Sequence, residues 1–253
     1  MWKYIVCLWT LAVCASEPIE VILTDIEGTT TSISFVHDTL FPYAKKHVKD
    51  YLFSHSEEPA VAQIVEEVLQ SSDADLERAS EILLSWMEQD KKITPLKSLQ
   101  GMMWKEGYEQ GAFLSHVYDD AFEQLEQWKR QGISLYVYSS GSVQAQKLLF
   151  GHTPFGDMTP LFSGHFDTCI GGKKESLSYV RIAEQLAIAP EKILFLSDSI
   201  EELDAAKKAG MQTVLIARDG MQPPDNCPHF SAASFSQVYT TNMKNREFGK
   251  EAP

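Results

Sequence analysis

An apolar run, Val21-Ile22-Leu23, breaks abruptly into Thr24-Asp25-Ile26-Glu27-Gly28-Thr29-Thr30. Two acids at i and i+2 of an extended chain point to the same side, so their charges must be offset by a cation or a shared proton. Magnesium is the natural cation for such oxygen ligands. Three further groups stand at the ends of predicted strands: Ser139 after 133–138, Lys173 with Lys174 after 168–170, and Asp198 after Phe195-Leu196-Ser197. Together they supply a carboxylate nucleophile, a hydroxyl for phosphate oxygens, a positive charge and a second metal ligand, the set that phosphoryl transfer to a carboxylate needs. Taken singly they read otherwise: a surface turn, a strand terminator, a solvated charge, and an N-cap for the helix through Leu203 and Ala206. What joins them is their order, each at a strand end.

The elements that must position them are legible in outline. Residues 21–23 form a short apolar strand, and Gly28 permits the turn that leaves Asp25 and Glu27 exposed at its carboxyl edge, where open α/β sheets bind ligands. Residues 35–52, 59–69 and 73–89 carry apolar side chains at helical spacing, and the region 36–115 holds no convincing strand. It is expected to be an inserted helical cap. From Asp119 the pattern becomes alternating: a helix with Ala121, Phe122, Leu125 and Trp128, closed by Gly132, then strands at 133–138, 168–170, 193–196 and 213–217 with helices near 175–187 and 201–209. Such alternation implies a parallel sheet covered by helices. Residues 235–239 form one more short element, and the expected division is core 19–35 and 116–240, cap 36–115, tail 241–253.

With 253 residues the chain is long enough for a core with a large insertion. Its net charge of -13 argues against nucleic acid or an anionic membrane as partner, while leaving room for a small phosphorylated substrate at a local positive site. The four cysteines, Cys7, Cys14, Cys169 and Cys227, show no C-x-x-C spacing and no disulfide framework. His165, beside Phe166 and Asp167, reads as a loop or strand-edge residue rather than a metal ligand. Residues 1–16 have one early lysine, an apolar run and small residues at the end, like a short secretory signal peptide, or else a dispensable extension or mistaken start. Residues 1–18 are therefore set outside the fold. The expected compartment is the cytoplasm, with export as the alternative if 1–16 act as a signal.

Asp-Ile-Glu-Gly-Thr, Tyr-Ser-Ser-Gly-Ser, the lysine after Cys169-Ile-Gly-Gly, and Leu-Ser-Asp-Ser occur in the order of the four motifs of the haloacid dehalogenase superfamily of aspartate-nucleophile phosphatases, which the chain resembles over about residues 20 to 220. The resemblance implies a Rossmann-like core in which Asp25 forms an aspartyl phosphate, Ser139 and the Ser140 backbone NH bind phosphate, Lys173 neutralises charge, and Asp25, Glu27 and Asp198 hold Mg2+. Lys173 is preferred to Lys174 because it follows the double glycine. The superfamily more often has aspartate where this chain has Glu27. With Leu40-Phe-Pro-Tyr43, Leu99-Gln-Gly-Met-Met-Trp104 and Gln146-Lys-Leu-Leu-Phe-Gly151, that glutamate resembles the enolase-phosphatases of methionine salvage. Members of that family enolise 2,3-diketo-5-methylthiopentyl-1-phosphate and then remove phosphate, giving the acireductone, with magnesium.

The same reaction pair is implied here, with a phosphorylated diketone as partner and a monomer as the compatible state. Glu27 is a candidate for the enolising base, and alternatively the acid/base of phosphate release with its carbonyl on magnesium. Trp104, Tyr108 and Phe35 could line a methylthio pocket, although aromatics at helical spacing more often build core. Two alternatives stay open on the residues alone: a sugar-phosphate type phosphatase without the enolase step, and a phospho-accepting receiver module. The receiver is disfavoured because its aspartate follows the third strand and it has no room for a helical insertion.

Overall fold

The computed structural model describes residues 18–240; the signal-like run and the tail lie outside the described residues. β1 (Val21–Thr24) is buried at every position, as a strand covered on both faces requires. It pairs in parallel with β2 (Ser134–Tyr138) on one side and β4 (Ile193–Ser197) on the other, Thr24 lying opposite both Val137 and Leu196. β3 (Gly164–Phe166), β5 (Gln212–Ile216) and β6 (Phe230–Ala232) complete a six-stranded parallel sheet in the order β3-β2-β1-β4-β5-β6. The strand order therefore reverses at β1, and the crevice of such a switch point opens beyond its carboxyl end.

Side chains alternate between two cores. Ile22, Leu135, Val137, Leu194 and Leu196 pack with Leu125, Trp128 and Phe150 on one face, while Val21, Leu23, Ile193 and Phe195 pack with Tyr179, Ile182 and Leu203 on the other. The covering helices are α6 (Asp119–Arg130) and α7 (Val143–Gly151), then α8 (Ser176–Leu186) and α9 (Ile200–Lys208).

The chain between β1 and α6 is helical: α1 (Ile33–Phe35), α2 (Phe41–Ser54), α3 (Pro59–Leu69), α4 (Leu76–Glu88) and α5 (Thr94–Glu109). α2 to α5 share a core of their own, with Val48, Leu52, Val61, Leu83 and Leu99 sealed from solvent. Between α1 and α2 the helix widens over Val36–Leu40, where the Phe41 N–H donates to the Val36 carbonyl. Pro42 supplies the reason: it has no N–H and its ring would press on the carbonyl four residues back, so a wider turn relieves the clash. The Trp104 indole then donates to the Leu40 carbonyl at 2.9 Å and fixes α5 to that turn. Phe35 and Tyr108 are buried in the core beneath.

One expected strand needs correcting. Residues 168–170 are a turn, and the strand lies earlier, at Gly164–Phe166. The Asp167 carboxylate accepts from the Cys169 N–H at 2.8 Å and the Val143 N–H at 3.2 Å, which folds the chain back before Thr168 and Ile170 can extend. The short element expected over 235–239 is a single helical turn at Phe235–Gln237, and a sixth strand, β6, precedes it. His165 sits on the edge strand β3, with burial holding its imidazole down at about 4.

Candidate active site

Asp25 follows β1 directly and is 5% exposed, buried rather than displayed as a strand-edge acid would be. The reason is a bend at Ile26 that ends the extended run, so Asp25 and Glu27 part: Glu27 is exposed while Asp25 turns inward. The tight turn is held by its own threonines. Thr29, Thr30 and Thr31 donate their N–H groups to the Ile26 carbonyl at 3.2, 2.9 and 2.9 Å, and the Thr30 hydroxyl reaches the Asp25 and Ile26 carbonyls at 3.2 Å each. From below, the Arg218 Nε donates to the Thr29 carbonyl at 3.1 Å, and its Nη1 grips both oxygens of Asp120 at 2.7 and 2.9 Å.

The Asp25 carboxylate is asymmetric. Oδ1 accepts from the Ile26 N–H at 2.7 Å and from the Lys173 ammonium at 2.6 Å; Oδ2 has only the Ser197 hydroxyl, at 3.4 Å. Oδ1 is thus occupied in orienting the group, and Oδ2 is the less engaged oxygen. Lys173 also meets Glu202 Oε2 at 2.7 Å, and Glu202 accepts from the Ser197 hydroxyl at 2.9 Å. Burial opposes the ammonium, but Asp25 and Glu202 outweigh it and raise its pKa.

Three hydroxyls hold the loop that carries Lys173. Tyr138, Ser178 and Tyr179 donate to the carbonyls of Gly171, Gly172 and Lys173 at 2.9, 2.8 and 2.6 Å. At Gly171, φ is +142° and a Cβ would stand 2.2 Å from the Ser178 hydroxyl, so only glycine lets that hydroxyl approach. Lys174 points away and pairs with Glu201 at the exposed surface.

Asp198 follows β4, the neighbour of β1. It does not cap α9, whose N-cap is Ser199. Burial first, then Asp25 and Glu202, push its carboxyl up to about 6. Although Glu27 as a whole is exposed, enough protein surrounds its carboxyl for desolvation to be the first cause of a raised pKa, with Asp25 second. Lys173 pulls it down, as do Lys92 and His37 from the helical side. Glu202 is raised for the same two reasons, burial and Asp25.

Gly28 stands between these acids at φ +74°, and a Cβ there would lie 2.3 Å from Asp198 Oδ2. Gly28→Ala is therefore expected to drive Asp198 from its place. Denaturant unfolding should show a loss of about 1–2 kcal/mol from the strained backbone, and turnover should fall about 100-fold through misplacement alone. Normal turnover would show that Asp198 has no fixed position to lose.

Ser139 follows β2, the other neighbour of β1, and is 4% exposed; its hydroxyl oxygen accepts from the Gly141 N–H at 3.2 Å. Ser140 is exposed at the rim, and its carbonyl receives Lys97 of α5 at 3.1 Å. The structure thus places Asp25, Ser139 and Asp198 at three adjacent strand ends, with Lys173 joined to Asp25. Glu202 is the residue that sequence reasoning missed.

The donor set fits a hard divalent cation. Asp25 and Glu202 meet one buried lysine, and burial first, with the charge of Asp25 second, raises the carboxyls of Glu27, Asp198 and Glu202. Among the described residues no three His, Cys, Asp or Glu side chains form a metal cage. Magnesium needs none, since it keeps several waters and takes one or two carboxylates.

The chain matches the haloacid dehalogenase-like hydrolase family over residues 19–210. It is 52% identical over 223 residues to enolase-phosphatase E1 of Pseudomonas aeruginosa, covering 87% of this chain and 98% of that protein. It is 54% identical over 206 residues to enolase-phosphatase E1 of Azotobacter vinelandii, covering 80% and 91%. Among solved structures it is similar to the UTR4 protein of Saccharomyces cerevisiae, with a TM-score of 0.76 at 34% identity, covering 87% of this chain and all (100%) of that one.

Proposed function

The chain belongs to the haloacid dehalogenase-like hydrolases and, within them, to the enolase-phosphatases, and from that premise we propose how its own residues carry out the two reactions. The substrate is 2,3-diketo-5-methylthiopentyl-1-phosphate, and the product is the acireductone 1,2-dihydroxy-3-keto-5-methylthiopentene plus phosphate, a step of methionine salvage. The observation that carries the reading is the buried Asp25 with Oδ1 fixed by Lys173 and Ile26 and Oδ2 held only by the Ser197 hydroxyl at 3.4 Å among the described residues.

The substrate phosphate sits against Ser139, the Ser140 N–H and Lys173. Asp25 Oδ2 attacks phosphorus, and the leaving oxygen takes a proton from Glu27, whose carboxyl burial raises and so favours in its protonated form. Glu27, now ionised, takes a proton from the water that attacks the aspartyl phosphate, and inorganic phosphate leaves with Asp25 restored. Enolisation comes first, with Glu27 again the candidate base. Asp25, Asp198 and the Glu27 carbonyl would hold Mg2+, which when bound offsets the charge of the phosphoryl group and of the developing enolate. By the same reading the enzyme works as a monomer in the cytoplasm.

The test supplies the diketo phosphate with magnesium and follows the enol chromophore and free phosphate separately. Enol absorbance preceding phosphate release, with acireductone as product, is expected. Phosphate without enol or acireductone would reduce the enzyme to a plain phosphatase.

A further inference from the structure

One hydrogen bond crosses from the helical unit to the core at the rim of the site. Lys97 lies in the first turn of α5, and its Nζ donates to the Ser140 carbonyl at 3.1 Å. A helix does not favour a cation there, because the first turn is the positive end of its dipole and prefers acids. Nor does an ion pair explain the placement: among the described residues no carboxylate lies within ion-pair distance of Lys97, which rests on a neutral carbonyl. Its charge is felt across the rim, at Asp167 and Cys169. On the same side of the cleft, Lys92 and His37 act on Glu27. In a chain of net charge -13, Lys97 and Lys92 thus act on this rim from the helical side, over a floor of acids.

The floor already provides for a phosphate through Ser139, the Ser140 N–H and Lys173. A cation overhead is left for whatever projects from the phosphate toward the helices. We propose that Lys97 is a substrate-binding residue that exchanges the Ser140 carbonyl for the oxygens of a dicarbonyl group next to the phosphate, and so selects an α-dicarbonyl phosphate over a plain phosphate monoester. This rests on the two-step reading above and deepens it. In the enolisation the C1–H proton passes to a site carboxylate, its electron pair becomes the C1=C2 bond, and the carbonyl pair moves onto the C2 oxygen, which then takes a proton. Lys97 meets that oxygen as its charge develops, so its contribution grows toward the transition state.

The test compares Lys97→Met and Lys97→Arg with the wild type on the diketo phosphate and on p-nitrophenyl phosphate, which has the phosphate and no dicarbonyl. Lys97→Met is expected to lose about 100-fold in kcat/KM on the diketo phosphate, mostly in kcat, and at least about tenfold less on p-nitrophenyl phosphate. Lys97→Arg should recover part of the loss, and neither exposed substitution should move the thermal midpoint. Equal losses on both substrates would make Lys97 a mere latch on Ser140, and no loss on either would give it no role; each overturns the proposal. Wild-type hydrolysis of the diketo phosphate without an enol would defeat the two-step reading alone, because Lys97→Met would still have to lose its preference between the substrates.

Discussion

Asp25→Asn is expected to slow phosphate release by at least about 10,000-fold while leaving the fold in place. The amide has nearly the shape of the carboxylate, and its oxygen can keep the bonds that Ile26 and Lys173 make to Oδ1. What disappears is the carboxylate Oδ2, which is held more loosely than Oδ1, by the Ser197 hydroxyl at 3.4 Å, and an amide nitrogen cannot attack phosphorus. The charge balance also moves in a measurable direction. Asp25 is the second cause of the raised carboxyl of Asp198 and of those of Glu27 and Glu202, behind burial in each case. Removing it should lower all three, which NMR titration would follow. No phosphoenzyme should be trapped on acid quench. Wild-type turnover by Asp25→Asn would sink the nucleophile assignment.

How much of this could be read from the chain follows from which interactions are local. β1, β2, β4 and β5 are legible because buried parallel strands write themselves as apolar runs, and the residues that follow them stand out by type. β3 is not legible: three residues, Gly164-His165-Phe166, on a sheet edge carry little pattern, whereas Thr168 and Ile170 look like strand until the Asp167 carboxylate turns the chain. The inward turn of Asp25 escaped because period-2 geometry holds only while the chain stays extended, and it bends at Ile26. Glu202 is harder still. An acid in the first turn of a helix reads as a partner of the helix dipole, and only the β1–β4 pairing brings that turn of α9 to Lys173. The same holds for Tyr138 and Tyr179, whose rings read as core and whose hydroxyls steady the lysine loop.

That lysine is where stability and activity meet, and Lys173→Met should damage both. The ammonium lies between Asp25 Oδ1 at 2.6 Å and Glu202 Oε2 at 2.7 Å, its side chain 10% exposed. Methionine fills the space and leaves buried carboxylates without a cation, a change that typically costs about 3–5 kcal/mol. The sign of the pH dependence distinguishes this from a packing defect. In the wild type the folded pKa of Lys173 is raised, so its contribution is complete below the unfolded lysine value and fades as pH rises through the folded one. In the variant the lowering that Lys173 exerts on Glu27, Asp198 and Glu202 is gone, and their carboxyls rise further, Asp198 from an already high value of about 6. The deficit should therefore be largest at pH 8 and shrink toward pH 5 as those acids take up protons, an order that urea unfolding at the two pH values would read directly. A deficit independent of pH would mean that Lys173 holds the site by volume and not by charge. kcat/KM should fall about 1,000-fold with the loss of the phosphate's buried countercharge. Lys174→Met, which breaks only the exposed pair with Glu201, should change neither quantity.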